Sequence, residues 1–297
     1  MNPILKKMLW PLVKVRRCRE AYLKRHNPEK LFSIWHKRAT GTYLNLENPK
    51  TLDDKIAYMA FRTDTSEWSR MADKVGVRAY VEECGFGEHL PKLYGTWERA
   101  ADIDFDQLPA AFVIKTNNAS ATNILVRDKK QANIENIRRQ LDEWLKIDYG
   151  YDTCQPHYSK IKPLILAEEF LGLDNADGKM LNDYKFYCVN GQPLYVIVYT
   201  DRVPNSHDMK RSIYDMDWQS HQEYLGRYAV AGPDIQSPKC FNDMKEMATK
   251  LSQGFHFVRI DFYDVNNSPV FGEMTFTPGM QEVSTSFLEK LGASIKL

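Results

Sequence analysis

The sequence contains nothing to staple it and nothing to hold zinc. Its five cysteines, Cys18, Cys84, Cys154, Cys188 and Cys240, are odd in number, widely scattered and form no CxxC pair. That spacing argues against a disulfide framework and fits a reducing cytoplasm. The seven histidines make no HExxH or HxxxH pattern and none suggests a triad, which removes the common zinc-hydrolase and Ser/Cys-hydrolase signatures. No stretch approaches the roughly 18 to 20 uninterrupted apolar residues of a membrane span. Lys6, Lys7, Pro11 and Lys14 interrupt any signal-peptide core, so no leader is expected. Net charge is only +1 with a pI near 7.6, which leaves no whole-molecule electrostatic case for nucleic acid as a partner. Internal repeats and low-complexity tracts are also missing.

What is present is the material for a folded core. With 297 residues and 43% hydrophobic content, the chain is expected to form one enzyme-sized unit of two or three lobes. Charge is uneven along it. Residues 1–30 carry nine basic side chains (Lys6, Lys7, Lys14, Arg16, Arg17, Arg19, Lys24, Arg25, Lys30) against Glu20 and Glu29, with Leu, Val, Trp and Tyr interspersed. Such a segment suits an anionic membrane surface or an acidic partner, and equally a solvated helix capping the domain.

The order of elements reads as α/β. Residues 1–60 are predicted mainly helical, with breaks near Asn27–Pro28 and Asn48–Pro49, and WSRMADKVGVRAYVEE (68–83) has helical spacing up to Gly85 and Gly87. A buried strand is expected over Ala111–Ile114, delivering Lys115 at its end, then a helix near Asn133–Lys146 and a buried strand in LILAEEF (164–170). YKFYCVNGQPLYVIVYTDR reads as a hairpin about Asn190–Gly191. Phe241–Leu251 is predicted helical, and a last hairpin follows.

That hairpin, VRIDFYDVNNSPVFGEMTFTPG (258–279), carries the strongest chemical pattern. Alternation puts Arg259, Asp261 and Tyr263 on one face with Val258, Ile260 and Phe262 opposite. A turn signal at Asn266–Pro269 returns the chain so that Glu273 and Thr275 come back beside them. Two carboxylates and a hydroxyl on paired strands form an oxygen-rich locus suited to Mg²⁺; the plain alternative is a hairpin with a solvated polar face. Elsewhere, Lys115 enters the polar loop TNNASATN, where Ser120, Thr122 and backbone amides could cap phosphate oxygens, although a strand-end lysine is commonly a surface residue. Glu168 and Glu169 close an apolar strand, which is costly away from a partner or polar cleft. Asp183 and Lys185 share a strand face.

Taken in order, these blocks resemble the ATP-grasp superfamily, and more closely its teichuronopeptide-biosynthesis, TupA-like branch. NPKTLDDK, MADKVGVRAYV, LPAAFVIKTNNASATNI, LAEEFL, DYKFYCVNG, DR (201–202), FVRIDFYDV and FGEMTFTPG carry the resemblance over about residues 45–297. It implies an α+β fold with ATP between two α+β lobes: a basic, mainly helical segment 1–60, then an ATP-grasp domain 61–297 with lobe one about 100–170 and lobe two about 171–297. It implies ATP and Mg²⁺ as cofactors. By the same resemblance Lys74 and Lys115 hold the phosphates, and Glu168, Glu169, Phe170 and Leu171 form the hinge that reads adenine. Asp183 is then the ribose acid. Asp261 and Glu273 are the metal acids, with Thr275 where many relatives carry an asparagine ligand. Arg259 steadies an acyl phosphate, and Lys185 and Arg202 face the transferred phosphoryl or acyl oxygens.

One departure stands out. The family loop after the FVIKTN-like strand is normally glycine-rich, resembling HGSGGN, whereas NNASATN has no glycine, and Ala119 and Ala121 restrict the backbone there. The resemblance implies an ATP-dependent carboxylate–amine ligase that joins an amino acid or amine to a uronic acid of a surface or capsular polysaccharide, in the cytoplasm or peripherally at the inner membrane face. Neither substrate is identified by the residues. Three alternatives remain open: a metal-dependent glycosyltransferase using the DxD pattern of Asp215 and Asp217, an ATP-grasp sugar kinase, and a non-catalytic module of capsule synthesis.

Overall fold

The computed structural model describes residues 3–174, 179–203, 209–279 and 281–297. The chain begins with helices α1 (Pro3–His26) and α2 (Pro28–Thr40). Asn27 separates them by accepting a hydrogen bond from Lys30 N at 2.9 Å, with Pro28 in the first turn, the usual start signal. Helix α3 (Leu52–Arg62) opens on a capping box of Thr51 and Asp54. The predicted helix over 68–83 is instead two, α4 (Ser66–Ala72) and α5 (Gly76–Glu83). Asp73 Oδ1 accepts from Val75 N at 2.9 Å and from the Asn117 amide at 2.7 Å. This local side-chain turn outcompetes the helix, and it leaves Lys74 in the gap.

The first sheet takes the order β1-β4-β2-β3, antiparallel throughout, from β1 (Leu93–Trp97), β2 (Phe112–Thr116), β3 (Asn123–Val126) and β4 (Ile165–Glu169). Between β3 and β4 lie α6 (Ile134–Trp144), capped by Asn133, and the short α7 (Tyr149–Thr153). Phe112, Ile114 and Ile165 pack with Ile137 and Leu141 of α6. Strand β2 is longer than predicted. Its ladder pairs Lys115 with Asn123 on one side and Leu166 on the other, so Lys115 lies within the strand, on the face away from that core, rather than beyond its end.

A two-residue pair, β5 (Leu173–Asp174) with β6 (Lys179–Met180), leads to the second sheet. Its order is β11-β10-β7-β8-β9, built from β7 (Asp183–Val189), β8 (Gln192–Thr200), β9 (Lys210–Asp215), β10 (Phe257–Val265) and β11 (Ser268–Thr275). The β7–β8 turn places Asn190 and Gly191 at φ 50° and 76°, and the β10–β11 turn places Asn266 and Asn267 at 56° and 62°. Two consecutive left-handed residues match the twist of the flanking strands. The second turn is tighter than predicted, because Ser268 and Pro269 already pair with Val265 and Asp264. On one face Phe186, Val258, Ile260 and Phe262 pack against Met244, Met247 and Leu251 of α8 (Phe241–Leu251). The other face carries the polar residues.

Helix α9 (Thr285–Ser294) ties the C-terminal end to the N-terminal helices. Lys55 of α3 donates to the carbonyls of Gly292 at 2.8 Å and Ile295 at 2.6 Å. A Cβ on Gly292 would lie 2.2 Å from Lys50 O and 2.6 Å from Thr51 C, so the helix approaches backbone to backbone. Gly292→Ala must push these segments apart and is expected to destabilise by about 1–3 kcal/mol; urea unfolding monitored by circular dichroism should show a lower midpoint at unchanged slope.

Candidate active site

A cleft of about 310 Å³ lies between the two sheets, lined from the first by Val113, Lys115 and Glu168 and from the second by Asp183, Lys185, Asp261 and Glu273. The β10–β11 hairpin builds its floor. Arg259 sits directly opposite Thr275 and Asp261 opposite Glu273, while Phe262 pairs with Phe271, so Gly272 is the extra residue of a bulge. The bulge keeps both acids on the cleft face while Phe262 and Phe271 return to the core side. A Cβ on Gly272 would stand 3.0 Å from Asp261 O, which restricts the position to glycine or a strained substitute.

Seven polar side chains converge there. Arg259 grips Asp261 with two hydrogen bonds, Nε to Oδ1 at 2.7 Å and Nη2 to Oδ2 at 2.6 Å. The same Nη2 donates to Glu273 Oε1 at 3.0 Å and lies 3.1 Å from Thr275 Oγ1, which donates to Glu273 at 3.2 Å. Lys185, across the β7–β10 ladder from Asp261, forms ion pairs with Asp261 and with Asp183 Oδ2, the latter at 2.8 Å. Arg202 approaches the same Asp183 oxygen at 3.6 Å. Asp183 lines the cleft, and its Oδ1 is buried with no hydrogen-bond partner.

The first sheet supplies the facing wall. Lys115 pairs with Glu168. Glu169, next in the strand, is exposed and accepts from Lys92 N at 3.3 Å, and it too borders the cleft. Phe170 and Leu171 line the cleft just beyond β4, followed by Gly172 at φ 95°. Lys74 donates to Ala119 O at 2.7 Å, anchoring the glycine-free loop. That loop is built in: Asn117, Asn118 and Ala119 are buried, Asn117 Oδ1 accepts from Leu164 N at 2.7 Å, and its amide reaches Lys162 O at 3.1 Å. Ala121 adopts φ 59°, a left-handed conformation that glycine would take without strain. Ser120 is exposed at the rim, whereas the Thr122 hydroxyl accepts from Thr116 Oγ1 at 2.8 Å.

Asp73 and Asn117, which position Lys74 and the loop, escaped sequence reasoning. The only signal was their placement beside Lys74, Lys115 and the polar loop, and it does not distinguish a brace from a solvated residue. The DxD pattern is a turn. Asp215 Oδ1 accepts from the backbone of Asp217 and Gln219 at 3.0 and 2.8 Å, and its other oxygen meets His221 at 3.1 Å.

The donor set suits a hard cation. Nη2 of Arg259 marks a point where oxygens of Asp261, Glu273 and Thr275 all come within hydrogen-bond distance. Among the described residues no three His, Cys, Asp or Glu side chains form a closed metal cage. Two carboxylates and a hydroxyl leave positions to be filled by phosphate and water, which is how Mg²⁺ is usually held beside a nucleotide.

Electrostatics couple the two walls. Burial favours the neutral form of Glu273, but Lys74, Arg259, Lys185 and Lys115 outweigh it and hold its pKa down to about 2. Burial lowers the pKa of Lys74, with Glu273 opposing. A carboxylate depressed in the folded state stabilises the protein fully above its unfolded pKa near 4.5, and that stabilisation is lost as pH falls through about 2. Because 39% of the Glu273 side chain remains exposed, water screens part of the effect. Thermal melts from pH 6 to pH 2 should therefore fall more steeply for the natural protein than for Glu273→Gln; parallel curves would show that the four cations do not act on this carboxylate.

Comparison with known proteins adds the family. The model of the TupA-like ATP-grasp family matches residues 54–296. No curated protein matches the sequence. Among solved structures the chain is similar to D-alanine–D-alanine ligase from Bacillus anthracis complexed with ATP, with 12% identity and a TM-score of 0.45 over 71% of this chain and 56% of that one. It is also similar to phosphoribosylamine–glycine ligase from Thermotoga maritima, with 14% identity and a TM-score of 0.44 over 73% of this chain and 52% of that one. The chain thus spans little more than half the length of either ligase. With the family model covering both walls of the cleft and every residue described in it, the chain belongs to the TupA-like ATP-grasp family.

Proposed function

We propose that this ATP-grasp enzyme is a carboxylate–amine ligase that activates the carboxylate of a uronic acid, in a surface or capsular polysaccharide or its precursor, and joins it to an amine. The observation that carries this reading is Arg259, a half-buried guanidinium set between the two carboxylates best suited to the metal. Phosphoryl and acyl transfer depend chiefly on positioning and on neutralising developing anionic charge.

In this reading the cleft residues act as follows. Lys74 and Lys115 neutralise the ATP phosphates, the backbone of Glu168–Leu171 faces adenine, and Asp183 accepts from the ribose through its unpartnered oxygen. Asp261, Glu273 and Thr275 would hold Mg²⁺, which would supply neutralisation of the phosphate charge. A uronate oxygen attacks the γ-phosphorus and the bond to ADP breaks. Lys185 and Arg202 face the transferred group. The free amine nitrogen then adds to the acyl phosphate carbonyl, Arg259 stabilises the oxyanion, and the C–O bond breaks with its electron pair leaving on phosphate while the nitrogen gives up its proton to solvent.

Hydroxylamine separates this chemistry from its alternatives, because it captures an activated carboxyl as a hydroxamate and ignores a phosphate ester. With MgATP and glucuronic acid, galacturonic acid or UDP-glucuronic acid, ADP release should depend on the uronate and hydroxamate should form. Lys115→Ala and Glu273→Gln should each lower the rate about a hundredfold or more, and Asp217→Asn should leave it unchanged. Phosphate transferred to a sugar hydroxyl without dependence on a carboxylate would make the protein a kinase; glycosyl transfer lost in Asp217→Asn would make it a glycosyltransferase.

We further propose that residues 1–30 hold the enzyme against an anionic membrane where such saccharides are built. On α1, Lys14, Arg16, Arg17, Arg19 and Arg25 are exposed together with Val15 and Tyr22, while Leu23 packs on Leu31 and Cys154. Among the described residues no helix is long and apolar enough to cross a membrane. Deleting residues 1–25 should leave MgATP binding intact and reduce sedimentation with phosphatidylglycerol vesicles, and salt should weaken binding of the full chain. Equal vesicle binding by both forms would assign the segment to packing alone.

A further inference from the structure

The guanidinium of Arg259 stands where a cation would be bound. Its Nη2 lies 2.6 Å from Asp261 Oδ2, 3.0 Å from Glu273 Oε1 and 3.1 Å from Thr275 Oγ1, and these are the oxygens that suit a hard divalent ion. Oxygen ligands sit about 2.0–2.1 Å from Mg²⁺, so the same three would need to close in by only about half to one ångström. One point cannot hold both occupants. The hairpin register that sets Asp261 opposite Glu273 also sets Arg259 opposite Thr275, so the competitor is delivered together with the ligands.

Arg259 does not make room by neutralising. Burial favours loss of its proton, but Asp261 and Glu273 outweigh it and hold the pKa well above the ordinary value, and a guanidinium keeps its charge in proteins. The corner is also balanced, because Asp183, Asp261 and Glu273 are joined by ion pairs to Lys185, Arg202 and Arg259. A bare divalent ion would add positive charge here and strip Arg259 of its partners, which is costly for a cation held away from water. Phosphate reverses both effects. It brings negative charge into the cleft and offers the guanidinium a two-point anionic partner.

We propose that Arg259 is a built-in competitor for the metal position, closing it to free divalent ions until nucleotide phosphates draw the guanidinium away. Release from Asp261 and Glu273 then frees the same side chain for the reacting carboxyl group, so metal entry and the arming of Arg259 are one movement. The proposal rests on the reading of the cleft as a nucleotide and metal site, and it is independent of which acid and amine are joined.

The test is Mn²⁺ binding without nucleotide, measured from the electron paramagnetic resonance of the free ion; Mn²⁺ shares the octahedral oxygen coordination of Mg²⁺. The natural protein should bind it weakly. Arg259→Gln should bind about tenfold or more tightly, since a site open a tenth of the time loses about tenfold in apparent affinity. Arg259→Lys, which keeps the charge but not the planar fork, should show part of that gain, and adding Glu273→Gln to Arg259→Gln should abolish it. Lys185→Gln removes a neighbouring positive charge without emptying the point, and should gain much less than Arg259→Gln. Circular dichroism reports the folding of each variant, and Arg259→Lys carries the comparison if Arg259→Gln does not fold. Tight Mn²⁺ binding by the natural protein, no gain in the Arg259 variants, a gain that survives Glu273→Gln, or an equal gain in Lys185→Gln overturns the proposal. Calorimetry with MgADP tests the nucleotide site separately: absence of binding removes that reading, while the Mn²⁺ comparison still decides whether Arg259 competes.

Discussion

Asp261 is 2% exposed and would be among the costliest groups in the protein if left alone. Burying an ionised carboxylate is tolerated only when opposite charge and hydrogen bonds surround it. The two-point grip of Arg259 and the ion pair with Lys185 provide both, and each partner comes from a defined rung of β10 or β7. Slipping the ladder by one residue would turn Arg259 and Asp261 into the hydrophobic core and bring Ile260 and Phe262 out. The paired asparagine turn, the Gly272 bulge and the apolar packing of α8 all serve to maintain that register.

The facing wall solves a different problem. In the proposed function the glycine-free loop must still bring its backbone close to phosphate. Here its shape is held from outside, by Lys74 on Ala119 O and by Asn117, which bonds to Asp73, Lys162 O and Leu164 N. Ala121 bears the left-handed conformation that a glycine would adopt freely. The helix break at Asp73 and the shape of the loop are therefore one feature: the carboxylate that ends α4 also holds the asparagine that shapes the loop. Such bracing trades the mobility of a glycine-rich lid for a wall formed in advance.

The charges of the two walls belong to a single system. Glu273 on the second sheet is held ionised by lysines from both sides of the cleft, and Lys74, half-buried on the first side, is in turn supported by Glu273. Negative phosphates entering between them would meet cations already placed and paired with acids that can turn to a metal, so little reorganisation is needed.

Local chemistry was legible in the sequence. The Asn27–Pro28 break, helix α8 to the residue and the Asn190–Gly191 hairpin follow from capping, apolar spacing and turn preference, which act within a few residues. The shared face of Arg259 and Asp261 follows from strand alternation, and the order of motifs pointed to the family. Tertiary structure decided the rest. It broke the helix at Asp73, because the competing partner, Asn117, lies forty-four residues away; it gave the adjacent Glu168 and Glu169 different partners, Lys115 and the backbone of Lys92, because both come from elsewhere in the chain; and it extended the polar row of the second sheet to Arg211, because strand order cannot be read from chain order. The sequence by itself determined which groups were available and what each short segment would become. Only the pairing of distant strands decided which charges would meet, since the energy of a buried charge depends on neighbours that the chain brings from far along its length.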